Sequence, residues 1–134
     1  MKSDLFAELA CGDVGVFVSR LRQTDVNVTN DSGCNLLHAA IAARKSDVCR
    51  LLIENGIDVN HQDEDGRTPL HYAATHQAFD TASLILQSGG DLSIKDTHGN
   101  TPLWTAVFNA RGTYDLVRLM LKYGADPDSM NIHG

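Results

Sequence analysis

The sequence predicts an all-α solenoid of stacked helix–turn–helix units, with hairpin turns projecting along one edge. Three observations carry that expectation. Gly33, Gly66 and Gly99 lie 33 residues apart, and so do Leu37, Leu70 and Leu103. Whole segments recur at the same interval: Asp31-Ser32-Gly33-Cys34-Asn35-Leu36-Leu37-His38-Ala39-Ala40 becomes Glu64-Asp65-Gly66-Arg67-Thr68-Pro69-Leu70-His71-Tyr72-Ala73, and then Thr97-His98-Gly99-Asn100-Thr101-Pro102-Leu103-Trp104-Thr105-Ala106. The chain is 43% hydrophobic but only 6% aromatic, so its core is made mainly of Leu, Val, Ile and Ala, which suits closely packed helices.

The elements follow in order within one domain over residues 1–134. Residues 1–30 read as a divergent N-terminal capping repeat. Ser3 or Asp4 can cap a short helix running through Ala10, and Val14, Phe17, Val18 and Leu21 form an apolar stripe at helical spacing. Asp25-Val26-Asn27 precedes Asp58-Val59-Asn60 by 33 residues, which sets the register. Repeats then occupy residues 31–63 and 64–96. In the second of these Gly66 suits a turn with positive φ, and Thr68 caps a helix whose first-turn Pro69 lacks a donor that would be unpaired anyway. Leu70, Ala73 and Ala74 face a core, and a second helix carries Ala82, Leu84, Ile85 and Leu86 before Gly89 ends it. The last full repeat spans 97–131. Gly89 and Gly124 are 35 residues apart, so two residues are inserted there, around Asn109-Ala110-Arg111-Gly112-Thr113. Residues 132–134 read as the start of a truncated further repeat. That implies either a longer parent protein or an open end that stacks on another molecule.

These segments resemble the ankyrin repeat. Thr68-Pro69-Leu70-His71-Tyr72-Ala73 reproduces the family's core motif, and the likeness covers nearly the whole chain. The resemblance implies a turn and two antiparallel helices per repeat, each burying its faces against its neighbours. It also implies a non-enzymatic binding module for a partner protein, with the His of the motif fixing the turn by hydrogen bonding to nearby backbone.

Composition narrows the partner. A net charge of -6 argues against nucleic acid, since a phosphate backbone requires a basic footprint. It is compatible with a basic protein partner, and equally with an acidic balance that only keeps the chain soluble. Three cysteines without Cys-x-x-Cys spacing, and an N-terminus with acids in place of a secretory leader, point to a reducing, cytoplasmic location. No segment approaches the ~18 apolar residues of a membrane span. The sequons at Asn27 and Asn30 are idle without secretion. A monomer is expected.

No catalytic, metal or cofactor site is expected. His38 and His71 occupy equivalent positions one helix-packing distance apart, ~8–10 Å, too far for one zinc ion with ~2 Å bonds. Asp63-Glu64-Asp65-Gly66 resembles a calcium loop, but His61 stands where the first acidic ligand belongs and Tyr72 where the last should be. Cys34 and His38 are close in sequence, yet a thiol nucleophile also needs a lowered pKa and a pocket. Asn60 reads as a turn residue rather than as the hydroxylated asparagine of the family's animal members.

The resemblance implies contact through hairpin tips and the exposed side of the first helices. The tip candidates are Asp31, Ser32, Cys34, Glu64, Asp65, Arg67, Thr97, His98 and Asn100. Along the helices they are Tyr72, Thr75, His76, Phe108 and Asn109. Tyr72, His76 and Phe108 could line up as an aromatic strip, and Tyr72, Arg67 and Phe108 are the favoured anchors. Phe108 reads equally as a side chain packed between helices, and Trp104, replacing the motif's His, as altered packing or an exposed aromatic. Small stand-alone ankyrin proteins act in bacteria as immunity or antitoxin-like factors, so a stoichiometric inhibitor is one expectation. The other is a docking fragment of a larger scaffold or regulator.

Overall fold

The structure is a computed structural model that describes residues 26–127 together with Leu9, Gly15, Phe17 and Ser19. Those four are helical, and Leu9 and Phe17 are buried against the stack. The expected stripe residues Val14, Val18 and Leu21, the cap at Ser3 or Asp4, and residues 128–134 lie outside the described residues.

Six helices follow: α1 (Leu36–Ala42), α2 (Ser46–Glu54), α3 (Pro69–His76), α4 (Phe79–Gln87), α5 (Pro102–Phe108) and α6 (Asp115–Lys122). Each first helix starts at a side-chain cap. Asn35, Thr68 and Thr101 accept from the backbone N–H three residues on, at His38, His71 and Trp104. Pro69 and Pro102 occupy the first turn, where a missing donor costs nothing. His38 and His71 complete reciprocal caps: Nδ1 accepts from the N–H of Asn35 at 3.2 Å and of Thr68 at 3.0 Å.

First helices pack on first helices (α1 on α3, α3 on α5) and second on second (α2 on α4, α4 on α6). The close approach needs small residues, and Ala40, Ala73 and Ala106 are fully buried at one shared position. Leu37, Leu70 and Leu103 have equivalent environments at 0%, 0% and 6% exposure. The all-α solenoid is therefore what the chain forms.

The hairpins also stack. Asn30, Asp63 and Asp96 each donate their N–H to the carbonyl four residues on, closing three like turns. The N–H of Glu64 then donates to Ser32 and that of Thr97 to Asp65, tying each tip to the one before it. Gly66 is required twice over: its φ is +75°, and a Cβ there would lie 3.1 Å from Asp96 Cα. On the loops after the second helices, Asn60 spans two layers. Its Oδ1 accepts from Asp91 N–H at 2.7 Å and its Nδ2 donates to the Gly89 carbonyl at 3.1 Å. Ser93, in the same place one layer on, is too short to span; its hydroxyl donates to Asp91 instead.

Layers differ at the turn between the two helices. A single left-handed residue, Arg44 or Gln77, makes it in the first two described layers. In the last, Arg111 and Gly112 are both left-handed, within a six-residue connection over 109–114. One substitution pair is also visible in the core. Ile85 stands where other layers have Leu52 and Met120, and Gly90 where they have Ile57 and Ala125. The β-branch of Ile85 fills the space a side chain at Gly90 would take: an added Cβ would meet Ile85 Cγ2 at 2.7 Å.

Candidate functional site

The hairpins present Asp31, Ser32, Glu64, Asp65, Thr97 and His98 to solvent, as their tip positions require. Side-chain turns keep these tips in shape. Asn30 Oδ1 accepts from the N–H of Ser32 and Cys34, Asp63 Oδ1 from Asp65 and Arg67, and Asp96 Oδ1 from His98 and Asn100. Asn100 is half-buried, and its Oδ1 is buried without a hydrogen-bond partner.

Two favoured anchors are held by their own fold. Arg67 is half-exposed, with Nε 4.0 Å from Asp96 Oδ2, so it bridges neighbouring hairpins. Tyr72 is half-buried; its hydroxyl donates to Asp63 Oδ2 at 2.7 Å and lies 3.2 Å from Cys34 Sγ. The Tyr72 ring packs edge-on against His38, with centroids 4.5 Å apart. Burial of Asp63 alone would raise its pKa. Donation from the Tyr72 hydroxyl and from the Arg67 and Asp65 N–H groups outweighs that and keeps it below the ordinary carboxylate value.

Phe108 is different. It is 72% exposed, which rules out packing between helices. Its ring stacks on half-buried Trp104, with centroids 5.1 Å apart and planes 12° off parallel. The expected strip of Tyr72, His76 and Phe108 is corrected accordingly, because Tyr72 pairs with His38 and Phe108 with Trp104. Counting by 33 gives the reason: Phe108 is equivalent to Thr75 and to Ala42. Those three are exposed on successive first helices and form the real row. His76 and Asn109 are half-buried beside it, and Asn109 Nδ2 donates to the Thr105 carbonyl.

The groups that could suggest chemistry are occupied. Both ring nitrogens of His38 are engaged, Nδ1 at its cap and Nε2 on the Arg67 carbonyl at 2.9 Å; His71 repeats this on Asn100 at 2.8 Å. Burial lowers the pKa of His38 to about 4, and lowers that of His71 as well. Burial raises the Cys34 thiol, helped by the charges of Asp63 and Glu64, and pushes Cys49 up to about 11. A thiol raised in this way is a poor nucleophile. Among the described residues no group of three His, Cys, Asp or Glu side chains could hold a metal ion, and no helix is long and apolar enough to cross a membrane. A groove of about 520 Å³ lies where the asparagine link is interrupted, between Asn60, Ser93 and Tyr123.

Sequence reasoning missed the Cys34–Tyr72–Asp63 link, which joins residues 29 and 38 apart and leaves no periodic trace. It also missed exposed Val107, at 52%, although the count by 33 pairs it with buried Ala74.

A family model for ankyrin repeats matches the chain in 3 copies, over residues 7–96 and 65–131. No curated protein matches it.

Proposed function

Since the chain belongs to the ankyrin-repeat family, whose repeats are in general protein–protein interaction modules, we propose that it holds a basic partner protein against its hairpin tips and its exposed first-helix row. The observation that carries this reading is the combination of acidic hairpin tips with an exposed first-helix row. Acidic Asp31, Glu64 and Asp65 project from successive hairpins, and the first-helix row ends in Phe108, an aromatic left 72% exposed. Acidic tips would steer a basic partner, and a desolvated aromatic would anchor it. Ser32, Thr97, His98 and Asn100 complete the tips; Thr75 is part of the row, and His76 and Asn109 flank it. Tyr72 and Arg67 act by holding the hairpins in shape more than by direct anchoring. The work is binding rather than catalysis, and a stoichiometric inhibitor of the immunity or antitoxin kind in a reducing interior fits it, acting as a monomer.

A second reading, a docking unit within a larger scaffold, is favoured by the last described layer. Val107 and Leu121 are 52% and 42% exposed there, whereas their equivalents Ala74 and Leu86 are at 0% and 6%. An apolar face of that kind is what a further layer would cover.

The test is titration calorimetry against the partner that co-purifies from the source organism. One-to-one binding, weakened at least about tenfold by Phe108→Ser or by Glu64→Lys with Asp65→Lys, is the expected result. Affinity indifferent to all three changes and to salt would refute the assignment.

A further inference from the structure

The edge opposite the hairpins, where the two helices of each layer are joined, has a different character. Among the described residues the inter-repeat loops and tips carry eight acids against two bases, Arg67 and Lys95. The helix-joining turns, with the first turn of each second helix, carry three acids (Asp47, Asp80, Asp115) against four bases (Arg44, Lys45, Arg111, Arg118). The molecule is therefore charge-segregated, acidic along one edge and slightly basic along the other.

Exposed aromatics mark that second edge. Phe79, the first residue of α4, is 42% exposed, and Tyr114, immediately before α6, is 51% exposed. They are 35 residues apart, the same shift as Gly89 to Gly124, so they are equivalent positions in adjacent layers. Phe79 borders two grooves. One, of about 370 Å³, has Arg44, Lys45 and His76 on its wall and Asp80 as its acid. The other, of about 270 Å³, runs between Phe79 and Leu119 under Arg118 and Lys122, with Asp115 as its acid. Some of this charge is already engaged. Lys45 Nζ donates to the Leu9 carbonyl, and Arg118 lies 3.8 Å from Asp115, though both of those side chains are more than 70% exposed. An ion pair so exposed contributes little and exchanges readily for a better partner.

We propose that this helix-turn edge is a second docking surface, which takes an acidic protein segment carrying an aromatic or aliphatic side chain. The apolar side chain would lie between Phe79 and Leu119, and flanking carboxylates would meet Arg118, Lys122 and Arg44. Charge complementarity selects this occupant: a basic segment would be repelled by the groove walls and drawn to the hairpin edge instead. The inference stands independently of the reading of the hairpin tips.

The test is an amide-shift titration of the full chain with a synthetic peptide of glutamates around a central phenylalanine. Two controls replace that phenylalanine by serine, or all the glutamates by lysine. The expected shifts cluster at residues 77–80 and 111–119. They require the phenylalanine, and the affinity falls at least about tenfold in Phe79→Ser and in Arg118→Glu. Arg118 is 78% exposed, so that variant folds even if Phe79→Ser does not. Absence of binding, shifts confined to the hairpins, or an affinity unchanged by both variants would overturn the proposal. The lysine peptide, expected at residues 31–34, 64–67 and 97–100, tests the hairpin reading separately, so either surface can fail without the other.

Discussion

Gly90→Ala should destabilise the protein even though two other layers have a side chain at that position. Ile57 and Ala125 show that the loop backbone accommodates a Cβ. What differs is Ile85, whose Cγ2 would lie 2.7 Å from the new methyl, with the Ile85 carbonyl oxygen and Leu70 Cδ1 both at 3.0 Å. All three distances fall well inside ordinary van der Waals contact, and both neighbouring side chains are fully buried, so neither can swing away. Overpacking of this kind costs about 1–3 kcal/mol, and loss of glycine's freedom in the unfolded chain returns about 0.4–1 kcal/mol. The net expectation is a loss of about 1–2 kcal/mol. Urea unfolding followed by circular dichroism should show it as a lower midpoint with an unchanged slope. Ile85→Leu restores the residue type of Leu52 and removes the 2.7 Å contact, the shortest of the three, so in that background Gly90→Ala should cost markedly less. The coupling between the two sites is then about 1 kcal/mol. A Gly90→Ala variant more stable than the parent, or two changes that simply add, would refute the reasoning.

Acid should weaken the fold through its histidines. His38 has a folded pKa of about 4 against 6.5 unfolded, because burial penalises the charged ring. Its contribution is complete above pH 6.5 and is lost as pH falls toward 4, a cost of roughly 3 kcal/mol from this group, with His71 acting in the same direction. Urea midpoints measured between pH 7.5 and 4 check this, and a flat profile contradicts it. Tyr72→Phe removes the hydroxyl that donates to buried Asp63, so a loss of about 1–2 kcal/mol is expected by the same assay. No change would mean that the hydroxyl bond is dispensable. Phe108→Ser should alter stability by no more than about 0.5 kcal/mol, since the ring is 72% exposed. A larger loss would place the ring in the core and remove it as an anchor.

The stack was legible because its determinants are local and periodic. Gly66, Thr68, Pro69, His71 and Ala73 each serve one step of a turn-cap-helix sequence, and the period of 33 brings like residues into register. Contacts between unlike positions were not legible. Tyr72 bonds Asp63 in the hairpin of its own layer, but it reaches Cys34 through a meeting of its helix with the preceding layer's hairpin, which no single repeat encodes. The same limit explains the misplaced aromatic strip. Tyr72, His76 and Phe108 are near one another by residue type, but only Phe108 falls on the exposed row with Ala42 and Thr75. Exposure of Val107 depends on what packs against the last layer, and nothing in the residue's own segment expresses that.

Hydrogen-exchange protection of the chain bound to its co-purified partner reads the proposed binding face directly. Slowed exchange at residues 31–34, 64–67 and 97–100, and at the α5 end around Phe108, is the predicted footprint. Protection limited to α2, α4 and α6, with the hairpins exchanging as in the free chain, would contradict it.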